Sequence, residues 1–385
     1  MTMNHPLAIY LWESSFSGRY VCLPSKRNCR WIVPSNQKIA TATWDFFLPS
    51  NRFSGTLKKN VLKLALQTGI LRLLRSNSID LHVTDESLKL KQLLITIFGR
   101  EDITLSMSIR RHRTGVIGAV FSSGAEALGI IKLGESRLSK EAEALKTLES
   151  IKFHESNSLR VQVPKLLYSG DLNNAYLIVE SVPSFHGDYG GADFNLKYAE
   201  LLRILFEHTA CRQSFLDSTF YRSMKKRVIG YPLSHQPLLL RALNCVEDEL
   251  RGKEIYFGLS HGDFKPRNML WERERVFVFD WAAMSVEAPF GIDFVHFLFR
   301  TAWKEYHKTE KELYDCIMGN DKEGSAAYYL FRKKTGNLMC EPKVIVLLYL
   351  IDKFPLYKIE RLDKRQKVLI DLLEIALDHF SHIKQ

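Results

Sequence analysis

One segment constrains this chain more than any other: His261 to Asn268, which reads His-Gly-Asp-Phe-Lys-Pro-Arg-Asn, and the apolar run from Val276 to Asp280 that follows it. An acid, Asp263, stands five residues before the amide of Asn268, and the second acid ends the apolar run. Carboxylate and amide oxygens are hard ligands of the kind that Mg²⁺ prefers. A carboxylate in a turn after a strand is also placed to accept a proton from a hydroxyl group. The segment therefore predicts a site for a metal ion and phosphate groups.

The same block carries a family resemblance. The pattern His-Gly-Asp-x-x-Pro-x-Asn-x-Leu, then Phe-Asp-Trp, then Pro-Phe-Gly-Ile-Asp-Phe at 289–294, resembles the aminoglycoside phosphotransferase and choline kinase family. The resemblance is specific over residues 257–298, follows only a general pattern over 105–182, and is absent elsewhere. It implies an α+β, two-lobed protein-kinase-like fold, with a small antiparallel-sheet N-lobe and a mainly helical C-lobe.

The resemblance also implies roles for four residues of the block. Asp263 would orient the acceptor hydroxyl and accept its proton, and Lys265 would stabilise charge on the transferring phosphoryl group. For Lys265, an ordinary solvated turn lysine is an equal alternative. Asn268 and Asp280 would be the ligands of a magnesium ion.

Two other positions of the block are interpreted as structural, and two depart from the family pattern. His261 would hold the loop by hydrogen bonds, and Asp293 would tie the loop to the next helix. Gly262 replaces the Arg of the kinase motif His-Arg-Asp. Ala282 stands where relatives frequently have an acid. Because Asp280 is intact, metal binding is still expected.

Residues upstream of the block are predicted to bind the nucleotide. Three runs with a β pattern, 105–111, 116–121 and 127–132, precede a predicted helix, and the third run ends at Lys132. In kinases this Lys reaches the α- and β-phosphates and is held by a helix Glu, a role that Glu141 or Glu143 would fill here.

A hairpin of strands at 164–168 and 175–180, turning at Gly170-Asp171, resembles the hinge between the lobes of a kinase. Backbone groups of Glu180 and Val182 would meet the edge of an adenine there. The loop that covers the nucleotide is the poorest match, because residues 113–118 offer two glycines but no Gly-x-Gly-x-x-Gly.

Length and charge suggest three parts. We expect an N-terminal extension of unknown role at 1–95, the N-lobe at 96–182 and the C-lobe at 183–385. The first 120 residues carry 17 Lys and Arg against 7 Asp and Glu, so they account for most of the net charge of +11. Irregular structure is expected before residue 51, and a basic helix at 56–75. Its apolar residues are spread around the wheel, which favours docking against the protein over a membrane surface.

The cysteines and the hydropathy bear on the cellular compartment. Six cysteines are present without Cys-x-x-Cys spacing, so neither a zinc site nor a disulfide framework is predicted. No run of 18 apolar residues and no secretory signal pattern occurs. We therefore expect a cytoplasmic protein.

With the resemblance, these features predict an ATP- and Mg²⁺-dependent phosphotransferase that acts on a hydroxyl group of a small molecule. The acceptor would be a sugar, an amino alcohol or a glycan precursor. An alternative is a catalytically weak, pseudokinase-like binding or scaffolding protein, which the degenerate glycine loop favours. A further interpretation is that the basic N-terminal third binds an anionic partner or a membrane surface; nucleic acid is not expected as a partner.

Overall fold

The structure is a computed structural model of the chain. It describes residues 19–23, 30–34, 36–47, 64, 78–80, 84–109, 115–134, 138–151, 153, 159–172, 175–232, 234–354 and 364–382. The chain forms two compact units, one of residues 1–150 with 162–189 and one of residues 151–161 with 190–385.

Among the described residues the strands are β1 Arg19–Leu23, β2 Trp31–Pro34, β3 Ser78–Asp80, β4 Ile103–Ile109, β5 Val116–Ser122, β6 Ala127–Gly134, β7 Arg160–Gln162, β8 Leu166–Leu172, β9 Ala175–Ser181, β10 Asp188–Tyr189, β11 Cys211–Ser214, β12 Glu254–Ser260, β13 Met269–Glu272, β14 Arg275–Val278 and β15 Ser285–Pro289. The α-helices of the same residues are α1 Gln37–Phe47, α2 Asp85–Phe98, α3 Leu138–Ser150, α4 Leu196–Glu207, α5 Thr219–Ile229, α6 Gln236–Leu250, α7 Ile292–Lys304, α8 Glu310–Met318, α9 Lys322–Thr335, α10 Pro342–Lys353 and α11 Lys364–His382.

The first unit is built on an antiparallel sheet of eight strands in the order β3-β1-β2-β4-β5-β6-β9-β8. Helix α2 begins after Thr84, which forms a capping box with Ser87, and it ends at Gly99 in the left-handed conformation. Leu90 and Leu94 of α2 pack into the core formed with the sheet. The three predicted strands of the N-lobe are β4, β5 and β6, and they pair in register as neighbours.

The described strands of the N-terminal extension belong to this same sheet. The prediction of irregular structure before residue 51 is wrong, because β1, β2 and α1 form there. Two strands of five and four residues are too short to show a clear alternation in sequence. They are ordered by pairing, since β2 joins β4 and covers an edge that would otherwise be open. The predicted basic helix at 56–75 lies outside the described residues, apart from Leu64, which is helical.

The predicted hinge hairpin forms, but its turn is elsewhere. Gly170 and Asp171, predicted as the turn, lie inside β8 and pair with Leu177 and Tyr176 of β9. Strand β8 is the edge strand of the sheet, where a glycine is tolerated because one side of the strand is unpaired. The two strands are therefore longer than predicted, and the connection falls after Leu172.

The second unit is mainly helical and contains a three-stranded antiparallel sheet in the order β11-β12-β15. Helix α7 is buried over most of its length, and Phe294 stacks on Phe331 of α9 with ring centroids 4.3 Å apart. This core holds α7 in place beside the segment that follows β12. Across the described ranges, none of the helices has the length and hydropathy needed to cross a membrane.

Candidate active site

Side chains of two helices hold the backbone of the loop after β12. Asp293, in the first turn of α7, accepts the backbone N–H of His261 at 2.6 Å and that of Gly262 at 2.9 Å, each on a different carboxylate oxygen. Lys353, at the end of α10, donates from Nζ to the Gly262 carbonyl at 3.0 Å. Two helices therefore fix the turn from which Asp263 projects, and Asp293 makes the contact predicted for it.

Gly262 explains why this loop does not have the Arg of the kinase motif. Its φ is +77°, a left-handed conformation that side chains other than glycine rarely adopt. A Cβ at this position would lie 2.0 Å from the carbonyl oxygen of Ala283. The departure from the His-Arg-Asp pattern is thus required by the local backbone.

His261 holds the loop and is fully buried. Its Nδ1 accepts the backbone N–H of Asp263 at 3.2 Å, and its Nε2–H donates to the carbonyl of Phe279 at 3.0 Å. The ring also packs on Trp281, with centroids 4.5 Å apart. Both ring nitrogens are used for these contacts, so His261 supports the geometry of the loop and has no free nitrogen for proton transfer.

The carboxylate of Asp263 is held by three side chains. His296 Nε2 lies 3.0 Å from Oδ1, and Lys265 forms an ion pair with Oδ2. The Asn268 side-chain amide donates to the Asp263 carbonyl at 2.9 Å and to Oδ2 at 3.2 Å. The Asp263 side chain is 30% exposed, so a face of the carboxylate remains open to a ligand.

These contacts set the charge of Asp263. Burial raises the pKa of this carboxyl, but the hydrogen bond from His296 and the charge of Lys265 outweigh it and hold the pKa well below its usual range. The group is therefore ionised at neutral pH. An ionised carboxylate accepts a hydrogen bond from a hydroxyl group, which orients the hydroxyl oxygen for attack.

His296 is a residue of the site that the sequence analysis missed. Burial lowers the pKa of His296 to about 4, so the ring is neutral at neutral pH. Its Nδ1 lies 3.1 Å from the hydroxyl oxygen of Tyr349, on α10. The neutral ring satisfies both contacts when Tyr349 donates to Nδ1 and Nε2–H donates to Asp263. One signal was present in the sequence: His296 follows Asp293 by three residues, which places the two on one helix face.

The low pKa of His296 predicts a pH-dependent stability. We expect the free energy of unfolding to fall by up to about 3 kcal/mol as the pH drops from about 6.5 to about 4. The sign follows from the shift. In this window the unfolded His296 binds a proton that the folded, buried ring does not bind, so acid favours the unfolded chain. Urea unfolding at a series of pH values measures the effect.

His296→Gln is the matched variant, because its amide keeps an N–H donor for Asp263 and does not titrate. The acid-dependent fall should be smaller in this variant by about 3 kcal/mol. If wild type and variant lose the same free energy over the window, the ring is not buried in its neutral form.

The predicted metal ligands come together through the β13–β14 hairpin. The Phe279 N–H donates to the Asn268 carbonyl at 3.0 Å, and Met269 pairs with Val278, so Asn268 and Asp280 lie at neighbouring ends of the hairpin. Asp280 has a φ of +70°, which is unusual for a residue other than glycine. Backbone strain of this kind clusters at functional sites.

The donor atoms of these two residues suit magnesium. The Asn268 amide nitrogen is turned towards Asp263, which leaves its Oδ1 as an acceptor, and the Asp280 carboxylate has no hydrogen bond or ion pair with the described residues. Within the described ranges, no three His, Cys, Asp or Glu side chains lie close enough to hold a metal ion by themselves. Mg²⁺ is commonly bound by one or two protein oxygens, with water and phosphate oxygens completing the shell. The pair fits such an ion.

In the first unit, Lys132 is held by two buried acids. Its Nζ lies 2.5 Å from Oε1 of Glu141, on α3, and 2.8 Å from Oε1 of Glu180, on β9. The register of β6 with β9 pairs Lys132 with Ile178 and Ile130 with Glu180, which puts both charged side chains on one face of the sheet. The predicted partner Glu141 is thus in contact, and Glu180 is a second one.

The side chain of Glu180 was not part of the prediction, which gave only its backbone a role. The backbone roles of Glu180 and of Val182, the residue just after the end of β9, towards an adenine stay predictions.

The two glycines near the predicted nucleotide loop have packing roles. Gly118 lies in the middle of β5, where a Cβ would meet Ile131 at 2.7 Å and Leu105 at 2.9 Å. A Cβ on Gly115 would lie 2.9 Å from the carbonyl of Leu133. These glycines permit close packing between strands, and residues 110–114 lie outside the described residues.

Part of the chain matches the model of a known family. Residues 190–321 match the family model described as the phosphotransferase enzyme family. No curated protein matches the sequence. Among solved structures, a thermostable mutant of aminoglycoside phosphotransferase APH(4)-Ia in its apo form is 12% identical, with a TM-score of 0.52 over 75% of this chain and 98% of that one. Another structure of aminoglycoside phosphotransferase APH(4)-Ia is 10% identical, with a TM-score of 0.52 over 76% and 98%.

These likenesses confirm three predictions. The solved structures confirm the α+β fold with an antiparallel-sheet unit and a mainly helical unit. The family model confirms the resemblance and the enzyme class, a phosphotransferase. Its match includes Asp263, Lys265, Asn268 and Asp280, and also His296.

Proposed function

We propose that this phosphotransferase moves the γ-phosphoryl group of a nucleoside triphosphate, ATP by the family resemblance, to a hydroxyl group of a small molecule. The observation that carries the proposal is the ionised carboxylate of Asp263, which His296, Lys265 and Asn268 hold in a fixed and partly open position. A structure of similar fold, the ternary complex of aminoglycoside phosphotransferase APH(4)-Ia with ADP and hygromycin B, supports a nucleotide and a small molecule as the two ligands.

In the proposed reaction, Asp263 accepts a hydrogen bond from the acceptor hydroxyl and aims its oxygen at the γ-phosphorus. The new O–P bond forms as the bond between the γ-phosphorus and the bridging oxygen breaks. The nucleoside diphosphate leaves with that electron pair, and the hydroxyl proton passes to Asp263. Lys265, already beside the carboxylate, would stabilise negative charge on the transferring group.

Two sets of residues would bind the triphosphate. Asn268 Oδ1 and the Asp280 carboxylate would hold a magnesium ion, whose chemistry is to offset the charge on phosphate oxygens. Lys132 would contact the nucleotide phosphates, with Glu141 and Glu180 fixing its ammonium group.

Nucleotide and metal binding can be measured without knowing the acceptor. We expect MgATP to raise the melting temperature of the wild-type protein, and EDTA to abolish the increase, because a ligand of the native state stabilises it by mass action. At 100 times the dissociation constant the gain is about 2.7 kcal/mol. Asp280→Ala should lose the magnesium-dependent part of the shift. GTP measured in parallel gives the choice of nucleotide.

Asp248→Asn is a matched control, because this exposed acid on α6 forms a surface ion pair with Arg251 and belongs to neither the loop after β12 nor the β13–β14 hairpin. It should shift as the wild type does. If neither ATP nor GTP stabilises the wild-type protein with magnesium, the result contradicts the proposed function and favours the pseudokinase-like binding or scaffolding alternative.

The proposed acceptor is a sugar, an amino alcohol or a glycan precursor. A panel of hydroxyl compounds, assayed for release of nucleoside diphosphate with Asp263→Ala as the blank, would identify it. Binding of an anionic partner or a membrane through the basic N-terminal third stays a separate prediction, because most of the predicted basic helix lies outside the described residues.

A further inference from the structure

One face of helix α7 lies against the loop after β12, which carries Asp263. Asp293 and His296 lie on this face, and they contact Gly262 and Asp263 of the loop at 2.9 and 3.0 Å. Arg300 comes four residues after His296 and seven after Asp293, so it lies on the same face one turn further along. The rise of an α-helix places its backbone about 6 Å from that of His296.

The loop after β12 makes a second contact near the C-terminal end of α7, beyond Arg300. Arg267, four residues after Asp263, forms an ion pair with Glu305, just after the end of α7, at 3.2 Å. Along the helix, Arg300 therefore lies between the contact of His296 with Asp263 and the contact of Glu305 with Arg267. Besides burial, the charge of Arg300 contributes to the lowered pKa of His296, the ring that contacts the Asp263 carboxylate.

Arg300 has no anionic partner within the described part of the chain. Its Nε is buried from solvent and has no hydrogen-bond partner, and its guanidinium contacts the ring of Trp303 at 5.9 Å. The other cations of this region are paired: Lys265 with Asp263, Lys353 with Asp352, and Arg267 with Glu305. A buried donor without a partner costs about 1–3 kcal/mol, a cost that a bound anion would remove.

From these observations we infer that Arg300 binds an anionic group of the acceptor, a carboxylate or a phosphate. The acceptor is then an acidic hydroxyl compound, such as a hydroxy acid, a sugar acid or a sugar phosphate. A guanidinium group suits this role, because its planar fork donates two parallel hydrogen bonds to a carboxylate or phosphate. The inference rests on the proposed function.

The phosphates of the nucleotide offer the same anionic oxygens, so the experiment fills the nucleotide site first. Melting temperatures are measured in saturating MgADP with added sodium sulfate or sodium glucuronate, against sodium chloride at equal ionic strength. We expect sulfate and glucuronate to stabilise the wild-type protein and not Arg300→Gln. Arg300→Lys should retain part of the shift, because it keeps the charge and loses the fork. Arg251→Gln, a change at an exposed surface arginine, should behave as wild type.

Transfer rates provide the second measurement. Glucose, glucuronate and glucosamine are compared as neutral, acidic and basic acceptors of one shape. We expect wild-type kcat/KM to be at least 10-fold higher for glucuronate than for the other two, and Arg300→Gln to lose roughly 10–100-fold for glucuronate alone, as expected for a charged hydrogen bond. The KM for the nucleotide should not change.

The outcomes separate the two proposals. No stabilisation of the wild type by MgADP contradicts the proposed function itself. If MgADP binds but neither anion stabilises the protein further, or both stabilise Arg300→Gln equally, the inference about Arg300 is wrong and the proposed function stands. If sulfate and glucuronate raise the melting temperature of the wild type without MgADP but not with it, Arg300 binds the nucleotide phosphates instead. A raised KM for the nucleotide in Arg300→Gln would lead to the same assignment.

Discussion

Replacing Asp263 by Asn is expected to reduce phosphoryl transfer by roughly 10²–10⁴-fold, the usual contribution of a positioned general base. The amide cannot take the hydroxyl proton, and it lacks the charge that attracts the hydroxyl group. Its oxygen can still accept the hydrogen bond of His296 Nε2, which lies 3.0 Å from Oδ1 in the native protein. The NH2 group of the variant loses the contacts that Oδ2 makes with Lys265 and Asn268. Asp293 and Lys353 still hold the backbone of the loop, so the loop should keep its position and the loss should report on chemistry.

The measurement compares turnover with nucleotide binding in the same protein. Release of nucleoside diphosphate should fall, while the melting-temperature shift with MgATP should stay within error of wild type, because the variant keeps Asn268 and Asp280. Asp248→Asn makes the same chemical change on an exposed helix surface and should leave both quantities unchanged. Wild-type turnover by Asp263→Asn on any true acceptor would remove Asp263 from the role of base.

Part of this site was predictable because the residues that form it are close together in the sequence. Asp263, Asn268 and Asp280 are joined by one turn and one hairpin, so their spacing alone fixes much of their arrangement. Asp293 also holds the loop, and the family resemblance predicted its contact. The two residues that were missed, His296 and Lys353, come from helices 33 and 91 residues away from their partners. No local pattern specifies such contacts, since they depend on how the helices pack.

In the N-terminal third, too, contacts between residues distant in sequence decide which segments form strands. The predicted strands at β4, β5 and β6 have apolar runs long enough to be recognised, and they form. Strands β1 and β2 are short, and they are strands because β4 offers an edge to β2, which in turn pairs with β1. Propensity over four or five residues does not decide between a strand and a loop, so tertiary pairing does.

The side chain of Glu180 was missed for a related reason. Its strand was predicted, but which face a residue occupies depends on the register with the neighbouring strand, and a shift of one residue reverses every face. The observed register pairs Ile130 with Glu180 and so directs the carboxylate towards Lys132. A lysine that was expected to have one acidic partner has two.

The second prediction with a large effect concerns Lys132 and its two acidic partners, Glu141 and Glu180. Replacing Lys132 by Met is expected to lower the free energy of unfolding by about 3–5 kcal/mol, because it leaves buried carboxylates without their cation. The side chains of Glu141 and Glu180 are 4% and 2% exposed, so water cannot take the place of the ammonium group. Urea unfolding at neutral pH, monitored through a signal that comes from the first unit, measures the loss of unfolding free energy.

Glu180→Gln is the matched variant for the same cluster. It removes one of the two negative charges and keeps the ion pair of Lys132 with Glu141, so its own effect on stability should be much smaller than that of Lys132→Met. The amide still occupies the volume of the carboxylate, which keeps the packing of β9 unchanged.

The double variant tests whether the two side chains act on each other. In Lys132→Met with Glu180→Gln one buried carboxylate instead of two has lost the lysine, so part of the loss caused by Lys132→Met should be recovered. The coupling free energy from this cycle should be about 0.5–3 kcal/mol, the range found for residues in contact. Additive effects would mean that Glu180 does not hold the lysine in solution. The role of Glu180 would then return to the backbone groups that the sequence predicted for an adenine.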